Sequence, residues 1–368
     1  MKRLRRILLA VTVGMLVLCL AAIAVSVLGN RGLPIEPQAS GRLDPLDKAR
    51  LEESLHLKQQ LGEDVWPGWG VTKVPILLWN RHDSFLVAYP SLPMGWTLVS
   101  GDAFQDRPYY RQPTANPQNF GLQVGDRLVA SMATKWETDA FMIQVFRGVL
   151  PPGIKAVFPY WLLILPSEVQ ITGVLHESFH VYQAEVTGPR LQEAESSHRL
   201  GAAYCQVDRA MRADWKQETS LLARALAASS DSEARQLARQ FLERRAQRRQ
   251  ASGLAQDLTD YERQLEWEEG LAKYVELAIW RQASAAQEYR PIAAMSADRQ
   301  FKRYATFRQR WQQEVGQMRT QASREGETRF YYTGMAQAML LDRLLPGWKD
   351  DAFEPGTWLE TLLAEATR

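Results

Sequence analysis

Residues 176–180 read HESFH, and this pentapeptide contains the residue types that bind and use zinc. Two histidines four positions apart project from one face of an α-helix and can give two imidazole nitrogens to one Zn²⁺. Glu177, next to His176, can accept a proton from a zinc-activated water. With only five histidines in 368 residues, an accidental match to this HExxH pattern is rare. The motif therefore predicts zinc ligation by His176 and His180, with Glu177 as the catalytic base.

The residues around the motif predict the helix that presents it. Pro166 should stop a preceding strand, and Ser167 can cap a helix whose capping box Gln170 completes. Gly188 and Pro189 should end this helix. HESFH then lies in the middle of the helix, with uncharged neighbours that suit burial beneath a sheet.

A catalytic zinc site takes three protein ligands and keeps one position for water, so the motif needs a third ligand. The metzincin pattern requires Gly at 183 and His at 186, where this chain has Gln183 and Val186. The two cysteines, Cys19 and Cys205, cannot form a cysteine cluster. A downstream carboxylate is therefore expected, and the candidates on one probable helix are Glu262, Glu266, Glu268, Glu269 and Glu276. Two alternatives nearer to the motif lie in a charged helix with few apolar neighbours: Glu193 and Glu195.

Residues 261–276 read YERQLEWEEGLAKYVE, and from 265 onward this segment resembles the N-E-G-F-A-x-Y block of the gluzincin aminopeptidases. In that family the Glu before Gly is the third zinc ligand, so the resemblance implies that Glu269 completes the site. It also implies a zincin-like fold and zinc-dependent peptidase activity. Two departures matter: the gap from His180 to Glu269 is longer than in those enzymes, and their G-x-M-E-N exopeptidase motif is absent. The resemblance thus carries the clan and not the aminopeptidase specificity.

Three further residues bear on this site. Gly270 has no side chain and should let its helix approach the HESFH helix closely. In gluzincins a later Tyr or His commonly hydrogen-bonds the oxyanion, which makes Tyr332, or its neighbour Tyr331, the expected donor. A tyrosine packed in the core is the alternative for either position. His198 is expected to be a surface or packing residue, because the zinc site has better candidates.

The order of apolar and charged segments divides the chain into four regions. They are a basic tip with an apolar anchor, a flexible stalk, a β-rich subdomain and a helical zinc-hydrolase subdomain, at 1–30, 31–45, 46–165 and 166–368. Short apolar runs between turn-forming residues predict strands in the third region, at 74–80, 84–89, 127–134, 140–146 and 156–164. Strands followed by helices indicate an α+β fold.

Two helical features flank or interrupt this plan. Asp44 and Pro45 should cap and begin a short helix that Gly62 ends. Residues from about 190 to 258 are charged and rich in arginine, with SSDSE at 229–233 as a turn, and they predict a helical hairpin inserted into the second half. Its charges favour a solvated hairpin, and a partner-binding arm is the alternative.

The amino-terminal segment from Ile7 to Leu28 contains 22 residues without a charge. As a helix it spans about 33 Å, enough to cross a hydrocarbon core of about 30 Å. Basic residues precede it, so the positive-inside rule predicts a cytoplasmic amino terminus and export of the remainder. A cleaved signal peptide is the alternative, because Ala22 and Ala24 form an A-x-A-like pair. The length of the run favours a signal anchor.

These features together indicate a membrane-anchored zinc metallopeptidase on the periplasmic or extracellular side, acting on a peptide or protein substrate. A strand from the 127–164 region should lie above the HESFH helix and hold an extended peptide. The balance of 44 basic and 42 acidic residues argues against a nucleic-acid partner, and the oligomeric state stays open. The alternative is a non-catalytic cell-envelope protein with a structural or vestigial zinc site and a partner-binding hairpin.

The charge asymmetry around the apolar segment gives a testable topology. A phosphatase reporter that is active only outside the cytoplasm, fused after Arg368, should be active in cells that make the full chain. The same chain fused to a reporter active only in the cytoplasm serves as the control. Activity of the cytoplasmic reporter alone would contradict the predicted orientation.

Overall fold

A computed structural model describes residues 2–33, 41–115 and 117–368. Residues 34–40 of the predicted stalk lie outside them. The fold is α+β, as predicted. Its helices are α1 (Lys2–Gly29), α2 (Pro45–Val65), α3 (Lys135–Val149), α4 (Pro152–Lys155), α5 (Ser167–Ser197), α6 (Gly201–Ala227), α7 (Asp231–Ala251), α8 (Gln256–Ala285), α9 (Phe307–Gln321), α10 (Thr328–Leu344), α11 (Trp348–Asp351) and α12 (Leu359–Ala366).

A six-stranded mixed sheet forms the amino-terminal part of the fold. Its strands are β1 (Ile76–Trp79), β2 (Asp83–Val87), β3 (Thr97–Leu98), β4 (Tyr110–Pro113), β5 (Phe120–Val124) and β6 (Arg127–Ala133). Their spatial order is β3-β4-β2-β1-β6-β5, in which β1 and β6 are parallel and the other pairs antiparallel. One face of the sheet, with Ile76 and Leu78, packs with Val174 and Val181 of α5. The sheet therefore covers the helix that carries HESFH.

Three predicted strands are confirmed as β1, β2 and β6, whereas those at 140–146 and 156–164 are wrong. Residues 140–146 lie in α3, and 156–164 contain a 3-10 helix at Tyr160–Leu163. Thr134 explains the first error, because its side chain accepts a hydrogen bond from the Glu137 backbone N–H and caps α3. A short apolar run has no period that separates a strand from a helix.

The start of α2 is confirmed, since Asp44 caps it and Pro45 occupies its first turn. Gly62 does not end it, and α2 continues to Val65. A Cβ on Gly62 would lie 2.9 Å from the Cα of Gly70. This glycine therefore permits a close return of the chain rather than a helix end.

Helix α5 presents HESFH in its interior, as predicted, but its ends differ from the prediction. Pro166 is the N-cap residue, and no side chain caps the helix. The Ser167 hydroxyl instead donates to Asp298 (2.6 Å), and the Gln170 amide donates to the Ala133 carbonyl (2.6 Å). Near the predicted end the helix is broken only locally, at Thr187 (φ −137°, ψ 50°), and it continues to Ser197.

The hairpin insertion is formed by α6 and α7, and its predicted turn is confirmed by Ser230, which caps α7. The prediction that its charges face water is wrong for Arg245 and Arg248, each 1% exposed. Each guanidinium donates two hydrogen bonds to a glutamate of α8. Arg245 pairs with Glu266 (2.6 and 2.8 Å), and Arg248 pairs with Glu262 (2.7 and 2.9 Å). The hairpin is thus fixed to α8 by buried ion pairs, which sequence periodicity cannot distinguish from surface charge.

Helices α8 and α10 cross with their backbones in contact. A Cβ on Gly270 would lie 2.5 Å from the Cα of Gly334, and a Cβ on Gly334 would lie 2.3 Å from the Glu266 carbonyl oxygen. Gly270 was expected to bring its helix close to the HESFH helix, and that expectation is wrong, because the partner is α10. The crossing places the end of α10 that holds Tyr331 beside the segment of α8 that holds Glu269.

This crossing predicts the effect of one added methyl group. Gly334→Ala should destabilise the fold by about 1–3 kcal/mol, because the Cβ has no room against the α8 backbone. Gly316→Ala is the matched control within α9, where a Cβ would meet nothing within 4 Å. There the replacement should stabilise by about 0.5–1 kcal/mol through helix propensity. Thermal unfolding in detergent checks both, and equal unfolding temperatures would refute the close crossing.

Candidate metal centre

Two packed helices bring the predicted ligands together. His176 and His180 lie one turn apart on α5, and Glu269 faces them from α8. The Nε2 atoms of the two histidines are 3.3 Å apart, and each lies 3.4 Å from Oε2 of Glu269. All three side chains are buried. The structure therefore assembles the three residues that the sequence selected, although 89 positions separate His180 from Glu269.

Gln183 fixes the orientation of His180. The Gln183 amide nitrogen donates to the backbone carbonyls of Trp267 (3.2 Å) and Glu268 (3.3 Å), which turns its oxygen toward Nδ1 of His180 (2.9 Å). Because an amide oxygen only accepts, Nδ1 of His180 must be the donor. The lone pair of neutral His180 is then on Nε2, the atom that faces Glu269. This is the orienting contact that histidine ligands of metals typically make.

His176 is held by a carboxylate and an aromatic ring. Oε2 of Glu276 lies 3.7 Å from Nδ1 of His176, and Lys273 donates to both oxygens of Glu276 (3.0 and 2.9 Å). The Tyr331 ring is parallel to the His176 imidazole, with centroids 6.1 Å apart. On the other side, the Phe120 ring lies 5.1 Å from that of His180.

The electrostatics of the group favour a bound cation. Burial alone would raise the pKa of Glu269, but the charges of and contacts with His180 and His176 hold it far below its usual range. Burial alone would lower the pKa of His180, but the Glu269 carboxylate raises it to about 9. Oε2 of Glu269 is buried and, within the part of the chain that the structure describes, has no hydrogen-bond partner. Imidazole nitrogens that face each other and a carboxylate need positive charge between them.

Glu177 lies next to the group without being one of its ligands. Burial raises its pKa to about 7, against the opposing influence of His176 and His180. Its Oε2 is buried and has no hydrogen-bond partner. A carboxylate in this state can exchange a proton near neutral pH, which is what a general base or acid requires.

The other candidate carboxylates have different partners. Glu262 and Glu266 pair with the hairpin arginines, and Glu268 accepts a hydrogen bond from His198 (3.1 Å). Glu276 contacts His176 through the ring nitrogen that faces away from Glu269. The two alternatives nearer the motif are exposed and outside the group: Glu193 and Glu195. Of these glutamates, the structure brings only Glu269 into the three-residue group.

Tyr331, rather than Tyr332, faces the site. Burial and the negative charge of Glu269 raise the pKa of Tyr331 far above its usual range, so its hydroxyl keeps its proton. Tyr332 is half-buried and packs against the helical core. The sequence analysis preferred Tyr332, whereas the structure places the ring of Tyr331 beside His176, because helical phase at the start of α10 decides between the two neighbours. Gln183 was missed, although its spacing of three residues from His180 places it on the same helical face.

His198 is a paired residue, as its expected packing role implies, and lies outside the group. Its Nδ1 donates to Glu327 and its Nε2 to Glu268, both at 3.1 Å. These hydrogen bonds raise its pKa to about 10, so it is a cation at neutral pH. The positive charge of His198 thereby compensates the negative charge of Glu268, the neighbour of Glu269.

Comparisons with known proteins add no family to this geometry. No protein-family model matches the chain, and no significant similarity links it to a curated protein or a solved structure. The site therefore has to be interpreted from its own residues. Those residues can hold one metal ion through two nitrogens and one oxygen, which in a four-coordinate ion leaves one position for a non-protein ligand.

The pairing pattern on α8 predicts which glutamate controls metal binding. Glu269→Gln should lower zinc affinity by orders of magnitude, because it removes the charged ligand between the two imidazoles. Glu268→Gln is the matched control: it is adjacent, equally buried and paired with His198 instead. Zinc content after dialysis against a graded chelator measures both. Equal zinc retention by the two variants would remove Glu269 from the site.

Proposed function

We propose that this chain is a zinc-dependent metallohydrolase of the gluzincin type and, within that class, a peptidase. The observation that carries the proposal is the triangle of ligand atoms. Ligands about 2.0–2.1 Å from a tetrahedral zinc ion are separated by about 3.3–3.4 Å. The measured separations between His176, His180 and Glu269 are 3.3, 3.4 and 3.4 Å. Two imidazoles and a carboxylate, without thiolate, also form a donor set that suits zinc.

The composition of the group supports a catalytic rather than a structural role. Structural zinc sites are closed by four protein ligands, whereas catalytic sites use three. The candidate group contains three within the part of the chain that the structure describes. A non-catalytic envelope protein with a structural site would be expected to supply a fourth. The unpaired carboxylate of Glu177 beside the group further favours catalysis.

The residues of the chain divide the proposed reaction between them. Zinc, when bound, supplies the Lewis acidity that lowers the pKa of a water ligand and polarises a carbonyl group. Glu177 accepts the proton of the attacking water and then delivers it to the leaving amine, two tasks that suit its pKa of about 7. Gln183 orients the imidazole of His180, and the carboxylate of Glu276 lies 3.7 Å from Nδ1 of His176.

Tyr331 is the proposed donor to the substrate oxygen that gains negative charge. Its hydroxyl stays protonated, and its ring is stacked parallel to that of His176. A hydrogen bond that strengthens as charge develops stabilises the transition state more than the substrate. The role assigned from the sequence to Tyr332 therefore passes to its neighbour.

The sheet provides a place for an extended polypeptide, which favours a peptide substrate over other hydrolysable groups. Among the described strands, β5 lies at the edge of the sheet and pairs only with β6. Phe120 at the start of β5 contacts the ring of His180. An extended peptide that pairs with the free edge of β5 would pass beside the metal centre with its backbone fixed by strand addition.

The proposed location is the membrane surface outside the cytoplasm. Within α1, residues Arg5–Gly29 are long and apolar enough to cross a membrane. A cleaved signal sequence would have the same composition, and either one exports the helical subdomain. The basic residues at the amino-terminal end of α1 support a cytoplasmic amino terminus.

The proposed chemistry predicts that metal binding and turnover can be separated. Glu177→Gln should retain about one zinc per chain but hydrolyse a mixed peptide library about 10²- to 10⁴-fold more slowly, because it removes the general base. Glu185→Gln, an exposed position on the same helix, should change neither property. Zinc content and chelator-sensitive peptide hydrolysis are measured on all three proteins. Full activity of Glu177→Gln would refute the hydrolase mechanism.

A further inference from the structure

An apolar surface separate from the metal centre lies on the segment that links the sheet to α5. Outside α1, seven of the twelve large apolar side chains that are exposed in the described residues belong to this segment. They are Phe141, Val145, Val149, Ile154, Trp161, Leu162 and Leu165. We call these seven residues the apolar platform. Clustered exposure of this kind marks a surface that is covered by something other than water.

Helix α3 exposes large apolar side chains although it buries polar ones. Its polar residues at the first turns are buried, with Lys135 and Asp139 joined by a 2.7 Å ion pair. Its apolar residues Phe141, Val145 and Val149 are spaced by four and face outward, at 60%, 44% and 76% exposure. Such an arrangement costs solvation free energy in water and gains it in an apolar medium.

Charge on and around the platform has one sign. Residues 140–166 contain no carboxylate, and their two charged residues are Arg147 and Lys155. Lys155 is exposed, and the Arg147 guanidinium lies 4.8 Å from the centre of the Tyr160 ring. Apolar residues accompanied only by cations are typical of surfaces that rest on anionic lipid.

The platform is continuous with the apolar helix α1. At the carboxyl end of α1, the Ser26 hydroxyl donates to the Val157 carbonyl (2.5 Å) and the Asn30 amide donates to the Phe158 carbonyl (2.7 Å). The indole of Trp161 covers Gly29 so closely that a Cβ there would lie 2.5 Å from it. A helix that crosses a bilayer therefore has the platform beside the end at which it leaves the hydrocarbon.

We propose that the platform lies in the interfacial layer of the bilayer that α1 enters. Tryptophan is the residue typical of this layer, and Trp161 occupies the junction with α1. The outward residues of α3 and of residues 154–165 enter the acyl boundary, while Arg147 and Lys155 meet the headgroups. The folded part of the chain after α1 is thereby fixed against the membrane at two places rather than suspended from a single helix.

Lipid fits this surface better than a protein partner does. A protein interface of this size would be expected to carry a polar rim with both charge signs, whereas residues 140–166 carry two cations and no anion. The continuity with α1 also places the surface where lipid is already present. A second copy or another protein over the platform is then a distinct outcome of the experiment.

The experiment measures the surroundings of single spin labels on the full chain in vesicles that contain anionic lipid. Cys19→Ala and Cys205→Ala remove the native thiols, and one cysteine is introduced in each variant: Val149→Cys, Ile154→Cys, Leu162→Cys or Met94→Cys. Met94 is fully exposed and outside the platform, so it is the matched control. Collision with oxygen, which dissolves in lipid, is compared with collision with a water-soluble nickel chelate. Three platform positions keep the test valid if one variant fails to fold.

We expect the ratio of oxygen to nickel collisions at the platform positions to exceed that at Met94 by about threefold or more, as expected for side chains that enter the acyl boundary. Ratios equal to that of Met94 would show that the platform faces water and would overturn the proposal. Labels shielded from both reagents would show a protein over the platform and would overturn it as well. None of these outcomes depends on zinc binding or on hydrolysis.

Discussion

Helix α8 buries five carboxylates, and cationic side chains of neighbouring segments and of α8 itself pair with four of them. A carboxylate removed from water without a partner is either protonated or strongly destabilising. Glu262 and Glu266 are matched by Arg248 and Arg245, Glu268 by His198, and Glu276 by Lys273 and Arg310. Burial alone would raise the pKa of Glu262, yet Arg248 and Arg249 lower it to about 2. Glu269 is the one of the five that meets two histidine nitrogens at ligand distance, and there a metal ion supplies the charge in our proposal.

This constraint gives the hairpin insertion a structural role. It lengthens the gap between HESFH and Glu269 beyond that of the gluzincin aminopeptidases, yet two of its arginines, Arg245 and Arg248, lie in the core against α8. Arg245 and Arg248 also share Glu218 of α6, which ties both helices of the hairpin to the same ion-pair network. Breaking a buried ion pair typically destabilises a fold by about 3–5 kcal/mol. Separation of the hairpin from α8 is therefore strongly unfavourable. A rigid α8 in turn keeps Glu269 at ligand distance from both histidines.

The distribution of charged residues also distinguishes the two regions that we regard as functional, the candidate metal centre and the apolar platform. Around the metal centre, carboxylates are concentrated and their cations are fixed in the protein. On the apolar platform there is no carboxylate between residues 140 and 166, and the few cations point toward the proposed headgroup layer. The chain passes from one to the other within a short distance. Ser167 begins α5 directly after the platform, and His176 follows nine residues later, about 14 Å along the helix axis.

Local sequence determined the features that depend on spacing within one element. HESFH on a helix, the Asp44 cap of α2, the strands β1, β2 and β6 and the apolar helix α1 all follow from patterns of a few residues. Glu269 is also one of these features. It was predicted because it precedes Gly270 in an apolar helix that resembles the N-E-G-F-A-x-Y block. The sequence alone therefore predicted the three residues that the structure brings together.

Tertiary structure decided what depends on helical phase and on distant partners. Tyr331 and Tyr332 are adjacent, and only the crossing of α10 over α8 determines which one faces His176. Gly270 indicated that another helix approaches α8 closely, but it did not indicate which one. The absence of a side chain would accommodate any neighbouring helix. Arg245 has the sequence pattern of a surface arginine, and only the fold brings Glu266 opposite it. The apolar run in α3 resembled a strand. Which of its residues are buried and which are exposed is a property of the folded chain and not of the segment.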